Sequence, residues 1–358
     1  MVLARRATAQ HTLGWVNLEG GAFLLNQLIS SKLRSLVGLC VLLGAASMPM
    51  LALNWFPLGP YGGDARSFAV DQHDSKHLYL GTANGWIYES HDGGENWARL
   101  SQIAKRNDLM IDHILTDAKD PRRLLVGAYI VDRPFGGLYL SEDGGRTWSD
   151  VADMRGQSVR SLARSPSDPK EIVAGTLQGV FLSHDNGMRW TQISPADSKE
   201  IHEIQSLAID PVDPQVIYAG TWHLPWKTSD GGAHWVNIKQ GIIEDSDVFS
   251  ILVDPQQPQT IYASACSGIY KSTDAAAQFK KVQGIPSAAR RTRKLAQDPS
   301  NLQTVYAGTT EGLYRTLDGG EVWDRMTGPD VIINDVYVDP NDAKHVLLAT
   351  DRGGVLRS

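Results

Sequence analysis

Three arginines occupy the same position of a pattern that recurs seven times along the chain. In each copy a short apolar strand ends in Asp or Ser, and the residue five positions earlier changes from copy to copy. In order, that position holds Arg66, Asp112, Arg160, Gln205, Phe249, Arg293 and Asn334. Equivalent positions of a closed ring of repeats lie at equal distances from its axis, so we expect these side chains around an axial opening.

Arg66, Arg160 and Arg293 are the members of this set that point to a function. A guanidinium fork matches the geometry of a carboxylate, so three of them facing one opening predict a clamp for an anion or a carboxylate. Arg290, Arg291 and Lys294 extend the basic character of the sixth repeat. The alternative interpretation is that these side chains are solvated strand starts with local partners.

The repeat that positions them contains a recurring aspartate turn of the form S/T-x-D-x-G-x-x-W. It reads SHDGGENW over residues 90–97 and TLDGGEVW over 316–323, with a degraded copy, STDAAAQF, over 272–279. A short carboxylate accepts backbone N–H groups of its own turn while glycines supply positive φ, so we expect a structural role for these turns. The aspartates of these six segments, the Asp turns, are Asp92, Asp143, Asp185, Asp230, Asp274 and Asp318.

Three strands precede each Asp turn, and its Trp opens a fourth. The first strand ends as in Ile209-Asp210-Pro211, the second reads like Ile217-Tyr218-Ala219-Gly220-Thr221, and the third resembles Gly312-Leu313-Tyr314-Arg315-Thr316. Four short strands cannot bury both faces of their own sheet, whereas radial stacking of such sheets does so. The sequence therefore predicts an all-β fold, a seven-bladed β-propeller of four-stranded antiparallel blades.

The seventh copy stops at Ser358, at the end of its third strand. The segment Trp55-Phe56-Pro57-Leu58 fits the W-x-x-apolar pattern of the fourth strands, and Trp55 lies 16 residues before Asp71, as Trp323 lies 16 residues before Asp339. We therefore expect residues 54–60, with Trp55 and Leu58, to close the ring as the outer strand of the last blade. The alternative is a truncated seventh blade.

Strand direction divides the loops between two faces. The Asp turns share one face, and the loops between second and third strands lie on the opposite one, the variable face, where we expect the ligand. On that face the fourth copy carries Trp222-His223-Leu224-Pro225-Trp226, which suits stacking on a sugar or peptide unless both Trp side chains pack against the next blade. The second copy inserts Tyr129–Phe135, which is either a longer loop for recognition or neutral drift. Arg352, beside Asp351, is a further candidate for ligand binding on this face.

The N-terminal part of the chain does not belong to the repeat. Lys32 and Arg34 precede an apolar run from Leu36 to Ala46, which is the order of a secretory signal. Uncleaved, Leu36–Leu53 is just long enough for a membrane anchor. We therefore divide the chain into an unstructured or mis-assigned extension (residues 1–31), a signal peptide or anchor (32–53) and the propeller (54–358), and expect an extracytoplasmic protein, periplasmic or secreted.

Charge and cysteine content exclude other classes of function. The net charge of −6 argues against general binding of nucleic acid, because nothing supplies a chain-wide cationic surface. Cys40 and Cys266 are the two cysteines, and Cys40 lies in the predicted signal, so no disulfide framework or cysteine metal site is expected. Among the ten histidines only His73 and His77 have H-x-x-x-H spacing, and no predicted helix carries them, so we expect neither a metal nor a cofactor.

The S-x-D-G-G-x-x-W turns resemble the Asp-box, or bacterial neuraminidase repeat. Combined with the D-P and I-Y-A-G-T strands and seven blades, they resemble the photosystem II stability/assembly factor family and, more distantly, sortilin-like and xyloglucan-hydrolysing propellers. The resemblance covers residues 54–358. It implies an Asp-box propeller on the lumenal or periplasmic side of a membrane that binds a membrane-protein partner without catalysis.

An enzymatic function is the alternative. A sialidase needs a Tyr–Glu nucleophile pair, but the axial position offers no Glu, and its tyrosine candidates belong to second strands. A xyloglucan hydrolase needs two carboxylates about 5–9.5 Å apart, for which Asp112 and Asp351 are the candidates. We therefore expect an exported, monomeric, non-catalytic scaffold that binds a protein or glycan, with a glycoside hydrolase as the alternative.

Overall fold

The computed structural model describes residues 54–60, 63–243, 246–282, 284–286, 288–289 and 291–358. The predicted signal or anchor, the N-terminal extension, Cys40 and Arg290 lie outside the described residues. The described chain forms seven four-stranded antiparallel sheets arranged as the blades of a ring, which confirms the predicted seven-bladed β-propeller. Among these residues, no helix is long and apolar enough to cross a membrane.

The strands follow one another along the chain in blade order. The first strand, β1 (Phe56–Gly59), belongs to the last blade. Blade one contains β2 (Ala65–Val70), β3 (Leu78–Thr82), β4 (Trp86–Ser90) and β5 (Ala98–Gln102). Blade two contains β6 (Met110–Thr116), β7 (Leu124–Ile130), β8 (Arg133–Ser141) and β9 (Ser149–Asp150). Blade three contains β10 (Val159–Arg164), β11 (Ile172–Thr176), β12 (Val180–Ser183) and β13 (Thr191–Gln192).

The remaining blades repeat the same order. Blade four contains β14 (Ser206–Ile209), β15 (Ile217–Gly220), β16 (Pro225–Thr228) and β17 (Val236–Asn237). Blade five contains β18 (Val248–Val253), β19 (Ile261–Ala265), β20 (Gly268–Ser272) and β21 (Lys280–Lys281). Blade six contains β22 (Lys294–Asp298), β23 (Asn301–Thr309), β24 (Gly312–Thr316) and β25 (Asp324–Arg325). Blade seven contains β26 (Ile333–Asp339), β27 (Asp342–Thr350), β28 (Gly354–Arg357) and β1. Two short 3-10 helices, Ile103–Lys105 and Ala152–Met154, follow the last strands of blades one and two.

The ring closes through β1, as the sequence predicts. This strand pairs antiparallel with β28, with Phe56 opposite Arg357 and Gly59 opposite Val355. The Trp55 indole N–H donates to the Met326 carbonyl of blade six at 2.9 Å. Trp148 makes the same kind of contact with the preceding blade, donating to Ser101 Oγ at 2.8 Å. Trp55 therefore does in the last blade what Trp148 does in blade two and what Trp235, which donates to the Ile193 carbonyl at 3.1 Å, does in blade four.

Adjacent blades approach so closely that the second strands have no room for a side chain at one position. A Cβ on Gly81 would lie 2.6 Å from the carbonyl oxygen of Ile111, and a Cβ on Gly220 would lie 2.5 Å from that of Val248. In both cases the obstructing carbonyl belongs to the inner strand of the next blade. The glycine of the I-Y-A-G-T pattern is thus a packing requirement between blades.

All six Asp turns share one hydrogen-bond pattern. The opening Ser or Thr hydroxyl donates to Oδ1 of the Asp at 2.6–2.9 Å. The same Oδ1 accepts the backbone N–H four residues later at 2.8–3.1 Å. The hydroxyl and amide of Thr147 lower the pKa of Asp143 to about 2, and the amide and ring of His234 lower that of Asp230 to about 2. The carboxylates are therefore used within their own turns.

Candidate functional site

The seven variable residues stand at irregularities of the innermost strands. In blade one, Ala65 pairs with Thr82 and Ser67 with Gly81, so Arg66 has no partner of its own. The same skip occurs in the inner strands of blades two, three, five and seven. In blades four and six, the N–H groups of Gln205 and Arg293 donate to the carbonyls of Gly220 and Gly308, each at 2.8 Å, although these glycines already pair with the following residues, Ser206 and Lys294. An extra residue of this kind leaves the alternation of the strand, which re-aims its side chain.

These seven side chains line one axial cavity of about 550 Å³. The lining also includes His113, Tyr129, Arg291, Lys294 and Asp335. Five basic residues and two acidic ones contribute, so the cavity is cationic although the protein carries a net charge of −6. The repeat register therefore assembles a positively charged site on the axis, from residues that are far apart in sequence.

Arg66 is already neutralised inside this cavity. Its guanidinium holds Asp112 through two contacts, Nε to Oδ1 at 2.7 Å and Nη2 to Oδ2 at 3.1 Å. The Tyr129 hydroxyl donates to the same carboxylate at 2.8 Å. Burial opposes ionisation of Asp112, but the charge and hydrogen bonds of Arg66 outweigh it and hold the pKa of this carboxyl below its usual value. The pair joins blades one and two as a fixed polar wall.

Arg160, Arg291 and Arg293 differ from Arg66 in their partners. Arg160 lies over the ring of Tyr129 at 5.1 Å, Arg291 lies 6.0 Å from the ring of Phe249, and Arg293 donates to the amide oxygen of Asn334. Over the residues that the structure describes, none of the three arginines lies within 4.0 Å of a carboxylate oxygen. Burial and the nearby charge of Arg66 lower the pKa of Arg293. Within the described part of the chain, these cations therefore lack an acidic partner.

Lys294 and Asp335 form an ion pair at the inner end of the cavity, with Nζ and Oδ1 3.2 Å apart. Asp335 also accepts the N–H of Phe68 at 2.8 Å, which links blades seven and one. Both residues line a second cavity of about 310 Å³ as well, on whose wall Val70 and Thr116 lie. The ion pair thus stands between the axial cavity and the opening toward the other end of the ring.

His113 and Asp335 were missed by the sequence analysis, although the repeat contains their signal. They stand four positions before the strand end, where blades one, three, four and five have Ser67, Ser161, Ser206 and Ser250. Ser67 and Ser206 bond carbonyls of the next blade at 2.8 and 2.9 Å. In the other three blades this serine is replaced by His113, Lys294 and Asp335, and all three line the axial cavity. Burial lowers the pKa of His113, so its ring is neutral at neutral pH.

The other candidates on the variable face are more scattered. Trp226 belongs to β16 and packs against the core of blades three and four, whereas Trp222 is 38% exposed and lies 5.4 Å from the His202 ring. The His223 ring lies 5.3 Å from the Trp222 ring and is tilted against it. Of the expected aromatic surface, only Trp222 is clearly exposed.

The insertion of blade two does not form a long open loop. Its residues lengthen β7 and β8 into a hairpin whose turn is Val131-Asp132. This hairpin brings Tyr129 over the cavity, while Arg133 stays outside and contacts Asp108 at 3.1 Å. Arg352, in the β27–β28 turn, is 91% exposed and does not line the cavity. Away from these sites, His77, Glu89 and His91 group three potential metal ligands on blade one.

No family model matches the chain. Two curated relatives share part of its sequence. A probable oligoxyloglucan-reducing end-specific xyloglucanase of Neosartorya fischeri is 26% identical over 137 residues, which are 37% of this chain and 16% of that protein. A xyloglucanase of a Paenibacillus species is 26% identical over 153 residues, 38% of this chain and 15% of that protein. The matched segment is thus a small part of either relative.

Solved structures share the fold over most of the described ring. The GH74 xyloglucanase of Xanthomonas campestris superposes with a TM-score of 0.66 at 20% identity, over 84% of this chain and 53% of that one. YCF48 bound to a D1 peptide superposes with a TM-score of 0.62 at 16% identity, over 87% of this chain and 96% of that one. At these identities the likeness establishes the propeller fold alone.

Proposed function

We propose that this chain is an exported, non-catalytic binding protein whose axial cavity captures a carboxylate-bearing segment of a partner protein on the variable face. The observation that carries the proposal is the axial cavity itself, in which Arg160, Arg291 and Arg293 have no carboxylate partner among the described residues. That the protein is exported is proposed from the predicted signal over residues 32–53.

An incoming carboxylate would relieve an unfavourable arrangement. Arg293 is partly buried beside the positive charge of Arg66, and this environment lowers its pKa. Desolvated cations are costly when unpaired, and a carboxylate that reaches two guanidinium forks gains charge-assisted hydrogen bonds in a low dielectric. Because Arg66 is held by Asp112, we assign the clamp to Arg160 and Arg293, with Arg291 at the rim.

A protein partner fits the cavity better than a glycan. Sugars are usually held on exposed aromatic faces, but here Arg160 covers Tyr129 and Arg291 approaches Phe249. Among the described residues of this face, Trp222 and Phe135 offer exposed rings, and Arg106 lies over the Phe135 ring at 5.6 Å. The likeness to YCF48 bound to a D1 peptide, which extends over 96% of that chain, supports the same choice.

A glycoside hydrolase is the competing function, favoured by the similarity to xyloglucanases. Hydrolysis requires a carboxylic acid that stays protonated at working pH, which an apolar site or a neighbouring carboxylate provides. Asp112 has the opposite environment, since Arg66 and Tyr129 stabilise its ionised form. This carboxylate is therefore a poor proton donor and a weak nucleophile.

The proposal is tested with an array of ten-residue peptides of varied sequence. Wild-type protein should select peptides rich in Asp and Glu, and the Arg160→Gln/Arg293→Gln variant should lose that selection. Arg352→Gln is the matched control, because its side chain is exposed on the same face outside the cavity. Selection of neutral peptides contradicts the proposal. So does release of reducing sugar from xyloglucan that is lost in Asp112→Asn.

A further inference from the structure

Two histidines face each other across a hairpin on the side of blade one that carries the Asp turns. Leu78 of β3 pairs with Ser90 of β4, and Tyr79 pairs with Glu89. One step further along the ladder, His77 and His91 are opposite each other, with ring centroids 4.3 Å apart. Glu89 points to the same side as His91, because residues two apart on a strand share a side, and it is the diagonal neighbour of His77 across the hairpin. Three donor side chains thus share one surface of a rigid hairpin.

The donor atoms have the spacing that a small metal ion requires. Glu89 Oε2 lies 3.7 Å from His77 Nε2 and 3.5 Å from His91 Nε2, and all three donor atoms lie within 4.8 Å of one another. At metal–ligand distances of about 2.0–2.2 Å, two ligands of a tetrahedral zinc ion stand about 3.3 Å apart. His77 and Glu89 are largely buried, whereas His91 is 66% exposed and free to close the remaining gap by rotation.

Asp71 prepares His77 for this role. Its Oδ2 lies 3.3 Å from His77 Nδ1, so the proton of the neutral ring belongs on Nδ1. The lone pair of Nε2 then points toward Glu89, and Nε2 is buried without a hydrogen-bond partner. Metal-binding histidines commonly donate the N–H of one ring nitrogen to a carboxylate, while the other ring nitrogen holds the metal. Asp71 and His77 have this arrangement.

We propose that His77, Glu89 and His91 bind a divalent transition-metal ion of the zinc class. Two imidazole nitrogens and one carboxylate oxygen form the ligand set, and a fourth position opens to solvent on the side of the exposed His91. A His–Glu ion pair alone does not account for the arrangement. At 3.5 and 3.7 Å both contacts are too long for hydrogen bonds, and the two rings stack on each other.

Blade three supplies a matched control within the same molecule. His184 occupies the position of His91 in its Asp turn, and Glu171 occupies the position of His77. Their side chains approach to 2.9 Å, which makes an ordinary exposed ion pair with only two donors. A metal that binds merely to surface histidines would not distinguish between these blades, whereas the proposed site is confined to blade one.

The test is calorimetric titration of the untagged protein with zinc chloride at pH 7.5, followed by X-ray absorption of the zinc-loaded sample. We expect one equivalent of tight binding and two imidazole ligands. His91→Ala and Glu89→Gln should each weaken binding by more than about tenfold, whereas His184→Ala should leave it unchanged. The two ligand variants must unfold at the wild-type temperature in the absence of zinc. Absence of saturable zinc binding, or equal affinity in His91→Ala, overturns the proposal.

Discussion

The indole N–H of Trp55 donates to the carbonyl of Met326 at 2.9 Å, although 271 residues separate them in the chain. This bond and the pairing of β1 with β28 join the two ends of the repeat array. A ring closed by a strand from its other end cannot open at that blade without losing both. Trp55 is therefore the residue at which a single substitution can test the closure of the propeller.

Replacement of Trp55 should weaken this closure. A fully buried Trp→Ala change costs about 3–5 kcal/mol, and Trp55 is partly buried, so we expect Trp55→Ala to lower the free energy of unfolding by about 2–3 kcal/mol. Phe56→Ala is the control, since that side chain is 51% exposed. Chemical denaturation measures both. Equal stability of the two variants would contradict a role of Trp55 in closure.

Removing one member of the Arg66–Asp112 pair should destabilise the fold more than removing both. Asp112→Asn leaves a largely buried guanidinium without its counter-charge, so we expect a loss of about 3 kcal/mol in unfolding free energy. The Arg66→Met/Asp112→Leu double variant should recover much of that loss, because no unpaired charge remains. Urea denaturation of wild type, Asp112→Asn and the double variant measures this recovery. Adding the single variants Arg66→Met and Asp112→Leu completes the cycle that gives the coupling energy. A double variant as unstable as the sum of the single changes counts against this account.

Gly220 should tolerate no side chain. A Cβ there would lie 2.5 Å from the Val248 carbonyl of the next blade, so Gly220→Ala should cost about 1–3 kcal/mol by forcing the blades apart. Gly63 offers the comparison, because its nearest neighbour would be 3.9 Å away and its φ is not in the left-handed region. Thermal unfolding of both variants checks this. A Gly63→Ala protein that unfolds as early as Gly220→Ala would refute the packing argument.

The Asp turns should make stability fall in acid. Their hydrogen bonds lower the pKa of Asp143 and Asp230 to about 2, below the value of about 3.9 in an unfolded chain. A lowered pKa stabilises the fold above about pH 4, and this contribution disappears as the pH falls toward 2. The stability difference between wild type and Asp143→Asn/Asp230→Asn, measured by urea denaturation, should therefore shrink over that range.

Asp132→Asn is the control for the acid experiment. Asp132 lies in the β7–β8 turn, and within the described structure no hydrogen bond to its carboxylate is found. Its substitution should leave the pH profile of stability unchanged. The difference in unfolding free energy between wild type and Asp143→Asn/Asp230→Asn could also stay constant from pH 6 to pH 2. That result would rule out the hydrogen bonds of the ionised turn carboxylates as the cause of the difference.

The repeat made the fold predictable down to the closing strand. Four-strand periodicity, the Asp turns and the equal spacing of Trp55 and Trp323 from their following aspartates were sufficient, because each copy reports the same geometry independently. The chemistry of the axis was less predictable. Register brought Arg66 and Asp112 to one cavity, but that they would neutralise each other depends on side-chain directions at a strand irregularity, which spacing does not encode.

Interactions between blades and within hairpins escaped the sequence for a related reason. The pairing of Lys294 with Asp335 joins different copies, and the grouping of His77 with His91 requires knowing which residues of a hairpin are opposite each other. A search for histidines at helical spacing overlooks a pair that is brought together by an antiparallel ladder. Comparing each copy with the others, position by position, is the signal that would have found both.

We propose that the arginines of the axial cavity that have no carboxylate partner among the described residues bind a carboxylate of a partner protein. Fluorescence anisotropy with a labelled peptide selected from the acidic pool tests it most directly, against the same peptide with Gln and Asn in place of Glu and Asp and an amidated terminus. Wild type and Arg352→Gln should bind the acidic peptide more than about tenfold tighter than its neutral form, with affinity falling as salt rises. Arg160→Gln/Arg293→Gln should bind both forms equally weakly. Unchanged affinity in that double variant would contradict the account.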